Sequence, residues 1–246
     1  MKTVLITGCS SGYGNETARY FHANGWNVIG TMRTPREDVL PRGERMRVLG
    51  LDVTKPEQIS AALEASGPID VLVNNAGVGA FGAFEATPMA KARDVFEANT
   101  FGVMAMTQAL VPQFRKRRTG VIVNVTSSAT LAPMPLVAIY TASKMAIEGF
   151  TASLALELEE FGVRAKLVEP GYCPSTRFTT NTPLADDLIP EAYGPFAQRA
   201  FTALGQQTAR TKESDVAEEV WRAANDTTGQ LRFPAGADAV ALAGKR

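Results

Sequence analysis

The feature that most constrains this chain is its opening. A β-prone run, Thr3-Val4-Leu5-Ile6, passes without a linker into Thr7-Gly8-Cys9-Ser10-Ser11-Gly12-Tyr13-Gly14, and a helical pattern follows through Tyr20 and Phe21. A strand that turns on glycines straight into a helix gathers backbone N–H groups and the positive end of the helix at one point, the arrangement that holds a dinucleotide pyrophosphate. Gly8 permits the tight turn, while Gly12 and Gly14 allow close approach of cofactor and sheet. The glycines are spaced by three residues and then one, unlike the more general G-x-G-x-x-G.

The other apolar runs extend this start into a sheet. Asn27-Val28-Ile29-Gly30-Thr31 ends at Met32-Arg33, and Arg47-Val48-Leu49-Gly50-Leu51 leads into Asp52-Val53. Ile69-Asp70-Val71-Leu72-Val73 runs into Asn74-Asn75-Ala76-Gly77, and Val121-Ile122-Val123-Asn124-Val125 delivers Thr126-Ser127-Ser128. These runs alternate little, as parallel strands buried on both faces do, and helical patterns lie between them. The expected fold class is α/β: a single Rossmann-like, doubly wound parallel sheet flanked by helices on both faces. With 246 residues, 45% of them hydrophobic, and no linker, the chain reads as one dinucleotide-binding domain over 1–246. An irregular excursion around 172–212 fits a substrate lid at the ligand edge of the sheet. Inside the long helical segment from about Pro88 to Lys116, Asn99-Thr100-Phe101-Gly102 predicts a local irregularity that frees a buried carbonyl, because Asn and Gly are poor helix residues.

Composition narrows the functions open to such a fold. Lys plus Arg equals Asp plus Glu at 25 each, so no net field recruits nucleic acid or an anionic membrane. No apolar run approaches the ~18 residues of a membrane span. Cys9 and Cys173 lie far apart with no secretory pattern, which reads as a reduced, cytoplasmic protein. The lone His22 has no ligand partner nearby, so no metal is expected. The basic cluster Arg115-Lys116-Arg117-Arg118 falls where the long helix should end and suits its carbonyl pole.

Chemistry enters with Tyr140 and Lys144, four residues apart in a helical pattern, so that both side chains leave one face. A phenol with an ordinary pKa of about 10 becomes a useful acid/base group when a nearby ammonium favours the phenolate. Ser127 ends the strand before this helix, and topology places it beside Tyr140; a turn or capping role is its other reading, and Ser128 is its rival. Asn74 and Asn75 suit a turn, and they also stand at the edge where ligands bind in open α/β sheets.

Together these residues resemble one family, the short-chain dehydrogenases/reductases, from Lys2 to about Thr176. Thr7 to Gly14 resembles the family's Thr-Gly-x-x-x-Gly-x-Gly turn, Asp52 its aspartate after the third strand, and Asn74 to Gly77 its Asn-Asn-Ala-Gly. Asn99 matches its helix asparagine, Ser127 its catalytic serine thirteen residues before the tyrosine, Tyr140 and Lys144 its Tyr-x-x-x-Lys, and Pro170-Gly171 its Pro-Gly after the sixth strand. The resemblance implies an oxidoreductase that interconverts a carbonyl and a primary or secondary alcohol by hydride transfer with a nicotinamide cofactor. It assigns proton transfer to Tyr140, the substrate oxygen to Ser127, the phenol's pKa and the nicotinamide ribose to Lys144, and an ordered water to Asn99. Its cofactor contacts would be Gly8, Ser10, Ser11, Gly12, Tyr13, Gly14, Arg33, Asp52, Val53, Asn75, Ala76, Gly77, Tyr140, Lys144, Pro170, Gly171, Cys173 and Ser175. A catalytically silent NADP(H)-sensing protein on the same fold is the other reading, although it has little need of Asn99, Ser127, Tyr140 and Lys144 together.

The departures from the family pattern carry information of their own. Tyr13 stands where an aliphatic residue is usual, Thr126 replaces the first of a serine pair, and Ser175 takes the place of the threonine that touches the carboxamide. Gly229 to Gly236 reads as a final strand without the Asp-Gly-Gly ending of the family's tetramers. Met32 stands where an NAD-selective site needs a carboxylate for the adenosine ribose 2′-hydroxyl, and Arg33 follows it. NADP(H) is therefore expected over NAD(H), with a solvated Arg33 as the alternative. Tyr172, Phe178, Leu188 and Phe196, with Met134, are candidates for an apolar substrate pocket or for plain core packing, and Arg177 is the cation nearby. A mainly apolar carbonyl or alcohol follows. Surplus apolar positions on the two long helical patterns, including Phe150, Leu154, Leu156 and Leu158, lead us to expect at least a homodimer.

Overall fold

The computed structural model of the protein describes residues 1–176, 188–206 and 208–245. Seven strands form one sheet: β1 (Thr3–Ile6), β2 (Asn27–Met32), β3 (Met46–Gly50), β4 (Val71–Asn74), β5 (Gly120–Val125), β6 (Val163–Pro170) and β7 (Arg232–Ala235). Their spatial order is β3-β2-β1-β4-β5-β6-β7, and every pair is parallel. The helices are α1 (Gly12–Ala23), α2 (Pro56–Ser66), α3 (Met89–Phe96), α4 (Gly102–Arg117), α5 (Ala138–Glu159), α6 (Gly194–Gln206), α7 (Glu213–Asn225) and α8 (Ala237–Ala243).

Successive strand residues face opposite layers, which is why the sequence shows apolar runs rather than alternation. Val4 and Ile6 pack with Phe21 of α1 and Val216 and Val220 of α7. Leu5 points the other way and packs with Ile59 of α2, Leu110 and Phe114 of α4 and Leu158 of α5. Each such buried side chain contributes about 1.5–3 kcal/mol, so both faces of the sheet must stay covered. The expected doubly wound α/β sheet is what forms. Because β1 lies between β2 and β4, the chain winds in opposite senses from this point, and a crevice opens at the carboxyl edge between β1 and β4.

The long helix expected between Pro88 and Lys116 is two helices, α3 and α4, joined by a π-helical turn, Glu97–Phe101. The wide turn falls on the predicted irregular stretch and carries Asn99 into the interior, fully buried. Arg115, Lys116 and Arg117 occupy the last turn of α4, where their charge suits the exposed carbonyls. On α5 the apolar positions singled out divide: Leu158 is core, Leu154 packs against the same cluster, and Phe150 is half-buried. Leu156 is 74% exposed and Met145 43%. Within the expected lid, α6 is formed, while Arg177 and Phe178 lie outside the described residues.

Candidate active site

The first strand delivers Thr7 to the carboxyl edge of the sheet. Its hydroxyl accepts from the N–H groups of Asn75 at 3.0 Å and Ala76 at 2.9 Å, and the Asn75 amide donates to the Thr7 carbonyl at 2.9 Å and the Gly8 carbonyl at 3.2 Å. The glycine turn and the segment after β4 are thereby locked together across the crevice. Gly8 and Gly12 have φ of +77° and +58°, conformations that a side chain disfavours. Gly14 answers to a different constraint. A Cβ there would collide with the Gly8 carbonyl oxygen and the Asn75 amide, so the turn's own packing excludes a side chain.

Above this edge lies a cleft of about 710 Å³. Gly8, Ser10, Ser11, Gly12 and Tyr13 line it from the turn, and Asn75, Ala76 and Gly77 line it from β4. Met32 at the end of β2, Arg33 after it, and Asp52 and Val53 after β3 add to the wall. Burial works against the Asp52 charge, but hydrogen bonds from the Thr54 amide at 3.0 Å and hydroxyl at 2.8 Å, with the Arg33 guanidinium nearby, hold its carboxyl below the ordinary value.

A second cavity, about 90 Å³, adjoins the first. Ser127 and Tyr140 lie in its wall with Phe81, Met134, Val137, Tyr172 and Leu204. Tyr13 and Thr176 line both spaces and so form the seam between them. Ser127 is hydrogen-bonded to Tyr140, and its Oγ also accepts from the Ala129 N–H at 3.2 Å. Burial pushes the Tyr140 phenol up to about 12, with the Ser127 hydrogen bond opposing. Lys144 lies one turn on, its Nζ 6.0 Å from the Tyr140 ring centre and donating to the Val125 carbonyl at 3.0 Å. Burial pulls its ammonium down to about 8, with the Glu148 carboxylate opposing. The expectation that Lys144 draws the phenol into the neutral range is thus corrected: in the protein alone, desolvation dominates and favours the neutral phenol.

Asn99 acts through direct contacts. Its Oδ1 accepts from the Val78 N–H at 2.8 Å, and its Nδ2 donates to the Val78 carbonyl at 2.8 Å and to Ser143 Oγ at 3.0 Å. The Ser143 hydroxyl in turn donates to the Tyr140 carbonyl at 2.7 Å. The π-helical turn therefore staples the segment after Gly77 to the helix that carries Tyr140 and Lys144.

Not every residue singled out from the sequence faces the space expected of it. Asn99, Lys144 and Gly14 line neither cavity, and Pro170, Gly171 and Cys173 line the smaller one rather than the cleft. Ser175 is exposed and donates to Glu213 at 2.9 Å; its neighbour Thr176 faces inward in its place. Of the pocket candidates, Tyr172 and Met134 line the cavity, while Leu188 packs on Gly82 and Ala83 and Phe196 is 43% exposed. Phe81 and Val137 were missed. Phe81 follows Gly77 along the ligand edge, and Val137 lies three residues before Tyr140, so both positions were open to inference.

Comparison with known proteins agrees with this geometry. The model of the short chain dehydrogenase family matches residues 2–186. Retinol dehydrogenase 8 of Homo sapiens is 32% identical over 254 residues, spanning 94% of this chain and 80% of that protein. A short-chain dehydrogenase from Streptomyces avermitilis superposes with a TM-score of 0.85 at 32% identity, covering 99% of this chain and 91% of that one. The 3-ketoacyl-(acyl-carrier-protein) reductase of Brucella melitensis, complexed with NADH, superposes with a TM-score of 0.79 at 25% identity over 95% of this chain and 96% of that one.

Proposed function

This chain belongs to the short-chain dehydrogenase/reductase family and is an oxidoreductase; on that premise we propose that it interconverts a mainly apolar carbonyl compound and its alcohol with NADP(H), using Tyr140 as acid and base. The observation that carries the reading is the Ser127–Tyr140 hydrogen bond in the wall of a cavity that meets the glycine-turn cleft at Tyr13 and Thr176. The cleft fits a dinucleotide. Its floor is bare backbone at Gly8 and Gly12, and Gly8 has no room for a Cβ against Ala76. When bound, the nicotinamide supplies the hydride in reduction and takes it up in oxidation.

The protein's own groups do the rest. In reduction Tyr140 passes its hydroxyl proton to the substrate oxygen, and in oxidation it takes the alcohol proton back. A phenol kept neutral by burial is ready for the first role. Ser127 holds the same oxygen and stabilises its developing charge. Lys144, packed under the tyrosine, stabilises the phenolate left behind. Phe81, Met134, Val137 and Leu204 make the cavity apolar, consistent with the retinol named for the human relative. Arg33, which follows Met32 where an NAD-selective site has a carboxylate, favours a 2′-phosphate over a free 2′-hydroxyl, whereas the Brucella melitensis enzyme was crystallised with NADH. Phe101 on the π-helical turn and Met145 and Leu156 on α5 are large apolar side chains left exposed, which supports at least a dimer. The buried free thiols of Cys9 and Cys173 suit a reducing, cytoplasmic setting.

The test is NADPH consumption by purified protein across apolar and polar carbonyls, with Tyr140→Phe beside the unmodified enzyme. Turnover should appear on the apolar members, and Tyr140→Phe should bind NADPH but lose about 100-fold to 10,000-fold in rate. Near-normal turnover by Tyr140→Phe would refute the acid/base role. Cofactor binding without turnover on any carbonyl would favour a catalytically silent sensor.

A further inference from the structure

Glu148 is 2% exposed and lies one helical turn past Lys144 on α5. A buried carboxylate is costly unless hydrogen bonds and an opposite charge meet it. Both do here. One of its oxygens accepts from Thr126 Oγ1 at 2.6 Å and Thr130 Oγ1 at 3.1 Å, and the other pairs with Arg232 of β7. The same guanidinium holds Glu169 of β6 at 2.6 Å.

The contacts converge on the catalytic serine. Thr126, the residue that departs from the usual serine, immediately precedes Ser127, and Thr130 belongs to the short turn that Ser127 caps. Lys144 meanwhile donates to the carbonyl of Val125, the residue before Thr126. Two side chains one turn apart on α5 thus grip two consecutive residues just ahead of Ser127. The charges are uneven at this point: the one guanidinium of Arg232 meets both Glu148 and Glu169, so negative charge is left over one helical turn from the Lys144 ammonium.

Resting on the reading of Tyr140 as the acid/base, we propose that Glu148 is a positioning residue whose carboxylate, fixed by Arg232, sets Ser127 against Tyr140 and whose charge, one helical turn past Lys144, favours the ammonium form there. The titratable and charged groups near it are Tyr140 and Lys144 on its own helix, Arg232 on β7 and Glu169 on β6, and beyond Tyr140 the cavity wall adds Tyr13 and Cys173. Of these, Glu148 is the one whose charge opposes the desolvation of Lys144.

The experiment is the pH profile of kcat/KM for carbonyl reduction by Glu148→Gln. Glutamine keeps the shape and can still accept from Thr126 and Thr130, but it removes the anion. The alkaline fall in rate should move down by about one pH unit, the scale of an opposite charge a few ångströms away. A rate lowered equally at every pH, with the alkaline limb unmoved, would overturn the proposal. If Glu148→Gln does not fold, Glu148→Asp replaces it: the same charge on a shorter stem should move the limb the same way by less, and an unmoved limb again overturns the idea. An inactive Tyr140→Phe with an unmoved limb in the Glu148 variant refutes the role of Glu148 alone. A fully active Tyr140→Phe refutes the acid/base reading beneath it.

Discussion

The Tyr13 hydroxyl donates a 3.1 Å hydrogen bond to the carbonyl of Gly171, joining the glycine turn to the substrate side of the site across 158 residues of chain. Burial pushes the phenol of Tyr13 well above its ordinary range, so the donor stays neutral through physiological pH. An aliphatic residue at this position could pack but could not make the tether.

Tyr13→Phe keeps the ring and deletes the tether. A net hydrogen bond is worth about 0.5–1.5 kcal/mol, and a chain of this size shifts its melting temperature by about 2–4 °C per kcal/mol. We expect a drop of a few degrees, together with a severalfold higher KM for the carbonyl substrate because Tyr13 lines both spaces. Scanning calorimetry and steady-state kinetics check this. An unchanged melting temperature and KM would show that the tether carries no weight.

Arg33→Ala bears on cofactor choice. A charge-assisted hydrogen bond of about 1.5–3 kcal/mol corresponds to roughly tenfold to a hundredfold in affinity. The KM for NADPH should rise by that order while the KM for NADH barely moves. Unmodified enzyme that uses NADH as well as NADPH at limiting concentration contradicts the role given to Arg33.

The pH responses of activity and stability should diverge. Burial lowers the Lys144 pKa from 10.5 to about 8, so the native state binds fewer protons than the unfolded chain between those values. Stability contributed by this group therefore rises with pH through that window. Reductive kcat/KM should nevertheless fall above about pH 8, as the phenolate loses its cationic partner. Parallel rate and thermal-melt series from pH 7 to about 10 test this, and a melting temperature that falls in step with activity would mean that global unfolding causes the loss.

Gly14→Ala sets local propensity against packing. Alanine is favoured over glycine inside a helix by about 0.8–1.0 kcal/mol. Overpacking costs about 1–3 kcal/mol, and here the obstruction is a backbone carbonyl, that of Gly8, which cannot swing aside like a side chain. Destabilisation should win, read as a lower urea midpoint and weaker NADPH binding. A variant more stable than the parent would show that the turn can relax.

The sequence by itself determined the sheet and the local order of the site. Apolar runs with helices between them admit only parallel strands covered on both faces, and glycines bound to positive φ, as at Gly8 and Gly12, are local requirements that composition displays. The spacing of Tyr140 and Lys144 likewise follows from helical geometry alone. Even the irregularity around Asn99 was legible, because its cause is intrinsic helix propensity.

Only the tertiary structure decided what surrounds those residues. Whether Ser175 or Thr176 faces the site depends on how the chain after β6 meets Glu213 of α7, thirty-eight residues away from Ser175. Desolvation of Tyr140 and Lys144 depends on every element packed over them, so the direction of the phenol's shift could not follow from a four-residue spacing. Glu148 reads in sequence as one more acidic residue on a helix. It acquires an ion-pair partner because β7 places Arg232 beside it, 84 residues on, and pairing between distant strands is set by the closure of the whole sheet rather than by any local pattern.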